Sequence, residues 1–246
     1  MIAYKNRFLS FGVVFYDEVY AVKGKKIDVI REDQFSRSGF FSHPCTTMHL
    51  DLSRTESEIF DGFEKNTKYE IHRASSKDNL VIEDIALPEG KKFFLDLYAE
   101  FATGKGLPRL ESKEIDLLIN TGQFCIRGAF TAEKHPLVVH TYILSNGRAR
   151  LAHSVSLFRE TNDSAIRNIT GRANRLLHWE DIRYFKHLGY KIYDLGGINP
   201  DKKNVETQSI NKFKECFGGT VIKEFNSIVP ITFKGFLFAM YKKLMR

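Results

Sequence analysis

From residue 46 to 52 the chain runs Thr-Thr-Met-His-Leu-Asp-Leu, apolar and polar by turns, the pattern of a half-buried strand. Immediately afterwards the period changes. Ile59, Phe60, Phe63, Thr67, Ile71 and Ala74 line one stripe of a helix, with Lys65, Lys68 and His72 opposite and Arg73 near the end. Ser53, with Glu56 three residues on, predicts a capping box at its start. Ahead of this unit, 8–15, 19–22 and 27–30 read as short strands, and the polar, glycine-containing stretch 31–45 as a connector. Beyond it, 80–85 predicts a strand, and 88–101 and 111–119 predict helices, the first opening on Pro88. Three strands follow at 123–130, 137–144 and 149–157, the last two joined by the hairpin turn Asn146-Gly147. Residues 159–170 read as a polar loop, 171–188 as a long helix closed by Gly189, 220–225 as a final strand and 231–246 as a basic, aromatic helix.

This order predicts a mixed α/β fold with a largely antiparallel central sheet flanked by helices and a crossover near the end. The β-rich lead-in, 1–45, holds too little apolar material for a core of its own, so it is expected to pack on a main domain spanning 46–246.

The densest chemistry lies late in the chain. Gly189-Tyr-Lys-Ile-Tyr-Asp-Leu-Gly-Gly-Ile198 reads as a short buried strand ending in a carboxylate, Asp194, and a glycine bend. The helix after it puts Ile210, Phe213 and Phe217 on one face, and Lys214 shares that face. Desolvating an ammonium is expensive, so Lys214 either snorkels from the rim of the core or serves a site. Glu180 poses the same question within the apolar arc of the long helix: it is paired, with Arg183 or Arg172, or it belongs to a site. Gly171-Arg172-Ala173-Asn174, expected at the start of that helix, is a weak candidate phosphate cradle.

Composition narrows the partners. The 246 residues include 21 phenylalanines, enough for a sizeable core, and carry a net charge of +7, which favours an anionic ligand such as phosphate, nucleotide, RNA or a membrane surface. Three cysteines imply no disulfide framework, and neither a signal peptide nor a membrane-spanning run is visible, so a cytoplasmic location is expected. No P-loop, GxGxxG or CxxC motif occurs. His43, Cys45 and His49 lack a fourth metal ligand, and no metal is expected. Residues 231–246 mix Phe233, Phe236, Leu237, Tyr241 and Leu244 with lysines. They read as a docking helix or as one making weak contact with a membrane surface.

Five segments together resemble a known family. They are Thr47-Met-His-Leu-Asp-Leu52 with Asn66-Thr-Lys-Tyr-Glu-Ile-His-Arg-Ala74, then Leu177-His-Trp-Glu-Asp-Ile182 with Gly189–Gly197, then Phe213-Lys-Glu-Cys-Phe-Gly-Gly219. In this order they resemble the Fem-type acyltransferases, the peptidoglycan-bridge aminoacyltransferases and their relatives on the GNAT fold, over roughly residues 46–228. The peptidoglycan enzymes carry two copies of the fold and some a helical arm for tRNA; this chain has room for about one copy and no arm. The resemblance implies transfer of an acyl or aminoacyl group to an amine, in a cell-wall or polysaccharide precursor or elsewhere, with acyl-CoA or aminoacyl-tRNA as donor. It also implies a substrate-site role for Phe213 and a catalytic one for Lys214. Asp194, Glu180, His140 and His153 remain alternative bases, and Arg73, Lys68, Arg172 and Tyr193 complete the candidate contacts. The competing expectation is a non-catalytic module of the same fold that binds RNA or an anionic glycan.

Overall fold

The computed structural model describes residues 1–6, 8–156, 163–201 and 205–245. Ten strands form one sheet: β1 (Ile2–Lys5), β2 (Ser10–Phe15), β3 (Val29–Phe35), β4 (Ser42–Asp51), β5 (Val81–Asp84), β6 (Phe124–Phe130), β7 (Pro136–Ser145), β8 (Arg148–Val155), β9 (Ile192–Gly197) and β10 (Thr220–Pro230). Their spatial order is β1-β2-β3-β10-β4-β9-β8-β7-β6-β5. All neighbours are antiparallel except β2 with β3 and β8 with β9. The helices are α1 (Glu56–Asp61), α2 (Lys65–Lys77), α3 (Glu89–Lys105), α4 (Ser112–Asn120), α5 (Ser164–His187), α6 (Val205–Glu215) and α7 (Phe233–Leu244).

Each face of the sheet has its own core. On one side Met48, Leu50, Tyr142, Leu151, Tyr193 and Leu195 meet the apolar faces of α1, α2, α5 and α6. On the other, Phe15, Phe124, Ile126, Val139 and Val155 meet α3 and α4. Strand alternation delivers both sets from the same strands.

The centre of the sheet is where it opens. The parallel pair β8 and β9 holds register for three pairs only, Arg148↔Ile192, Ala149↔Tyr193 and Arg150↔Asp194. Past that point both strands are bulged. The β7–β8 register slips between Thr141↔His153 and Tyr142↔Leu151, leaving Ala152 as the extra residue. The β4–β9 register slips between Thr47↔Gly197 and His49↔Asp194. Bulges bend their strands and raise the local twist, so two of them facing one another part the strands. Gly196 sits in the second slip at φ +82°, where a Cβ would stand 3.1 Å from the Leu151 carbonyl oxygen. The glycine bend expected here is real, but it diverts β9 rather than ending it.

Several sequence expectations are corrected. Residues 31–45 are not a connector: they include most of β3 and the start of β4, and the expected boundary at 45 falls inside β4. Residues 19–22 form no strand. The single helix expected after residue 53 is two, because Gly62 caps α1 through its N–H to the Ile59 and Phe60 carbonyls. The capping box is Thr55 with Glu58, and Ser53 instead bonds Asp51. Of the expected loop 159–170, residues 159–162 lie outside the described residues, whereas Ser164 onward is helical and capped by Asp163. Arg246 also lies outside the described residues.

The turn after α6 explains the glycine pair at 218–219. Gly218 has φ +68°, and a Cβ there would stand 2.2 Å from the Gly62 carbonyl oxygen, inside any permitted contact. The α1–α2 link presses on this turn, and the Glu64 amide donates to the Cys216 carbonyl at 2.9 Å. That contact fixes where α6, and with it Lys214, lies over the parted strands.

Candidate functional site

The gap between β8 and β9 is the mouth of a cavity of about 610 Å³ that passes from one face of the sheet to the other. Arg150 and Leu151 of β8 and Leu195–Gly197 of β9 form its edges. The middle of α5, from Thr170 to His178, and α6, from Ser209 to Lys214, wall it on one face, and Phe101 and Lys105 of α3 close it on the other.

Its charge is one-sided. Lys105, Arg150, Arg175 and Lys214 line it, and among the described residues no aspartate or glutamate does. Among the described residues the Nε atoms of Arg150 and Arg175 are buried without a hydrogen-bond partner, Arg150 Nε standing 3.6 Å from Asp194 Oδ2. Arg175 also stacks over the Phe213 ring at 5.1 Å, which orients its guanidinium along the wall. Low-dielectric walls of one sign concentrate counter-ions, so this is a receptacle for an anion.

Lys214 reaches the end of β9, where its Nζ donates to the Gly197 carbonyl at 2.6 Å. Burial drives its pKa down to about 8, with help from Arg150 and against the pull of Asp194. The charged form is therefore present below about pH 8 and lost above it. If that charge holds a bound anion, affinity should weaken as pH rises through about 8, and the transition should vanish in Lys214→Met. Calorimetric titration of coenzyme A from neutral to alkaline pH checks this; affinity that stayed level or rose through the same window would show that the Lys214 charge does not hold the anion.

Asp194 is buried on the opposite face of β9. Its Oδ1 accepts from Thr47 Oγ1 and, at 2.8 Å, from the Gly196 amide; its Oδ2 accepts from Arg148 Nε at 3.0 Å. Arg148 also donates to Glu224 at 2.7 and 3.0 Å. Burial pushes the Asp194 pKa up, but Arg148 and Arg150 outweigh it and hold it below the usual carboxylate value. A carboxylate so saturated with donors ties β4, β8, β9 and β10 together rather than taking protons. His49 stands by with Nε2 at 3.8 Å from Asp194, and burial lowers its pKa to about 4. His43 and Cys45 lie further along β4, and among the described residues no cluster suited to a metal forms.

A second buried network ends at the cavity. Asp181 receives Arg127 Nε, His140 Nδ1 at 2.9 Å and the Tyr142 hydroxyl. Because Tyr142 gives its proton to Asp181, the 2.8 Å contact between the two tyrosine hydroxyls has Tyr193 as donor. The Tyr193 oxygen then accepts from His178 Nδ1 at 2.7 Å. Burial, with His140, Lys214 and Arg175 nearby, holds the His178 pKa well below its usual value. His178 is thus a neutral imidazole whose Nδ1 carries the proton and whose Nε2 is left as the acceptor nitrogen.

Of the residues expected from the sequence, Lys214 and Phe213 line the cavity. Tyr193 and His140 stand one layer behind, in the Asp181 network. Glu180 does not line it: it pairs with Arg183 at 3.1 Å on the outer side of α5. Arg172 pairs with Asp78 at 2.5 Å. The 171–174 amides lie inside α5 rather than at its N-terminus, so they bond within the helix and cradle no phosphate. His153 bonds Thr141 at 2.8 Å beneath Phe94 and Tyr98, with its pKa lowered to about 4 by burial and then Arg150. Lys68 and Arg73 lie on α2 outside the cavity, Lys68 donating to the Asp61 carbonyl at 3.2 Å and Arg73 exposed.

Sequence reasoning missed Arg150, Arg175 and His178. A signal existed for Arg150: Arg148 and Arg150 alternate with Ala149 and Leu151, so two guanidinium groups share one face of a central strand.

No protein-family model matches the sequence, and neither does any curated protein. Solved structures do match. FemX superposes with a TM-score of 0.63 over 91% of this chain and 76% of its own, at 13% identity. The C-terminal domain of a protein named as a lysylphosphatidylglycerol synthetase from Agrobacterium fabrum gives 0.57 over 98% and 84%, at 10% identity. L-PGS from Bacillus licheniformis gives 0.50 over 90% and 73%, also at 10% identity. The parted parallel strands, the flanking helices and these superpositions agree: this chain shares the fold of FemX and of those two synthetase structures, a mixed α/β fold with a largely antiparallel sheet.

Proposed function

We propose that this protein is an acyltransferase that moves an acyl or aminoacyl group from an anionic activated donor, acyl-CoA or aminoacyl-tRNA, to an amine. One observation carries the reading: a cavity between parted strands whose charged wall residues, among those described, are all cationic, with Lys214 at the strand end. Both donor classes carry phosphates on the same molecule as the reactive carbonyl, and that wall suits phosphates.

In this scheme Arg150, Arg175 and Lys105 neutralise the donor's phosphates. The amine nitrogen attacks the acyl carbon, the new C–N bond forms, and the bond to the thiol sulfur or ribose oxygen breaks as the leaving atom takes up the amine's proton. Lys214 sits where positive charge steadies the oxyanion in a water-poor setting. His178, fixed by Tyr193 through Nδ1, presents an acceptor nitrogen that aligns the amine N–H. The acceptor is an amine of a small molecule or of a cell-wall or polysaccharide precursor.

The test is a matrix of acyl-CoAs and charged tRNAs against amino sugars and peptide amines, read by mass spectrometry with donor affinity measured in parallel. Transfer from either donor class, lost in Lys214→Met, supports the proposal. Tight donor or RNA binding without transfer to any amine would favour the non-catalytic binding module.

A further inference from the structure

Helix α7 is packed inside out. The side it turns to the protein carries its smallest residues. Gly235 is so close to the strand below that a Cβ would stand 2.0 Å from the Asp28 carbonyl oxygen, and Ala239, one turn on, is buried. Phe238 also turns inward, its ring 5.5 Å from that of Phe11, and Phe236 packs edge-on against Phe41, but four large apolar residues point the other way. Phe233, Leu237, Tyr241 and Leu244 are 77, 54, 56 and 79% exposed, and steps of four, four and three residues stack them along one side. A helix whose apolar stripe served only to dock on the sheet would show the reverse.

Charge frames the stripe. Lys234 borders one edge and Lys243 the other, and no aspartate or glutamate occurs anywhere after Glu224. Beside the helix, Phe40 is also exposed, with the Lys243 ammonium 3.5 Å above its ring. Apolar side chains flanked by lysines, without acids, match the interface of an anionic bilayer, where the stripe enters the headgroup–acyl boundary and the lysines meet lipid phosphates. A second copy of this surface fits less well, because pairing would bring lysine against lysine. Among the described residues no helix is long and apolar enough to cross a membrane, so the contact lies in the plane of the surface.

We propose that α7, with Phe40 beside it, docks this protein onto an anionic lipid bilayer. The test is co-sedimentation with phosphatidylcholine vesicles and with vesicles of phosphatidylcholine and phosphatidylglycerol, at low and high salt. Binding is expected to the mixed vesicles, weakly or not at all to pure phosphatidylcholine, and to fall with salt. Leu237→Glu and the pair Lys234→Glu and Lys243→Glu should each lower vesicle affinity by about tenfold or more while leaving the melting temperature unchanged, since all three residues are exposed. Tyr241→Trp adds a fluorophore to a chain with one tryptophan, Trp179, and should shift its emission to the blue on the mixed vesicles. The proposal is overturned if wild type ignores the mixed vesicles, if Leu237→Glu binds them as well as wild type, or if light scattering shows a lipid-free dimer that Leu237→Glu dissolves.

Discussion

Lys214→Met is expected to yield a folded protein whose transfer rate is lower by roughly 10²-fold or more, the usual effect of deleting one oxyanion donor. Methionine keeps most of the stem that packs beside Phe213 and removes the ammonium at the Gly197 carbonyl. Stability should stay level or rise. The folded environment lowers the lysine pKa from its ordinary 10.5 to about 8, so the charged form opposes folding below about pH 8, and that opposition fades between about 8 and 10.5. The variant should gain most in melting temperature at neutral pH and little above pH 10.5. Steady-state kinetics and thermal melts at two pH values check both halves. Normal turnover would strip Lys214 of its role and return it to a lysine lying along the rim of the core.

Arg148→Met should be the most destabilising single change near the site, at about 3–5 kcal/mol, because it leaves two buried carboxylates without their main cation. Arg148 bridges Asp194 and Glu224, both buried, with its guanidinium over the Tyr16 ring at 4.4 Å. The pH dependence carries a signature. Asp194 has a depressed pKa in the fold, so the stability it supplies is present above its unfolded value, near pH 4, and disappears as pH falls through the folded one. Without Arg148 the carboxyls should prefer their protons, and the variant should lose less on acidification than wild type. Urea unfolding at neutral and acid pH measures this; a loss under about 1 kcal/mol at neutral pH would show that the four strands hold without the bridge.

Periodicity made most of the strands and helices legible because each face of the sheet is covered, and a covered face demands strict alternation. It also placed Lys214, since a charge among Ile210, Phe213 and Phe217 on one helical face is visible in the sequence. It failed at β3, where Arg31, Glu32, Asp33 and Gln34 read as a polar connector. Those side chains are satisfied by partners from distant elements, such as Arg31 with Glu114 and Gln34 with Glu224. Local patterning carries no trace of a partner some 190 residues away. The same reason hid the role of Asp194: its position on a buried strand was legible, but Arg148 and Thr47, which make it a tie between strands, arrive from β8 and β4. The cavity wall was hidden because α5 begins at Ser164, seven residues before Gly171, which moves the helix start away from the presumed phosphate cradle.

The position of β10 has a consequence for how the protein is made. Residues 220–230 pair with β3 on one side and β4 on the other, and these flanking strands do not pair with each other. As the chain leaves the ribosome, β1–β3 therefore wait, with an open edge, through the synthesis of nearly all that follows. Loop closure over such separations is slow, and unpaired edges invite wrong partners. The nascent chain is thus most vulnerable to aggregation, and most in need of a holding chaperone, until Thr220–Pro230 emerges and locks the two halves of the sheet together.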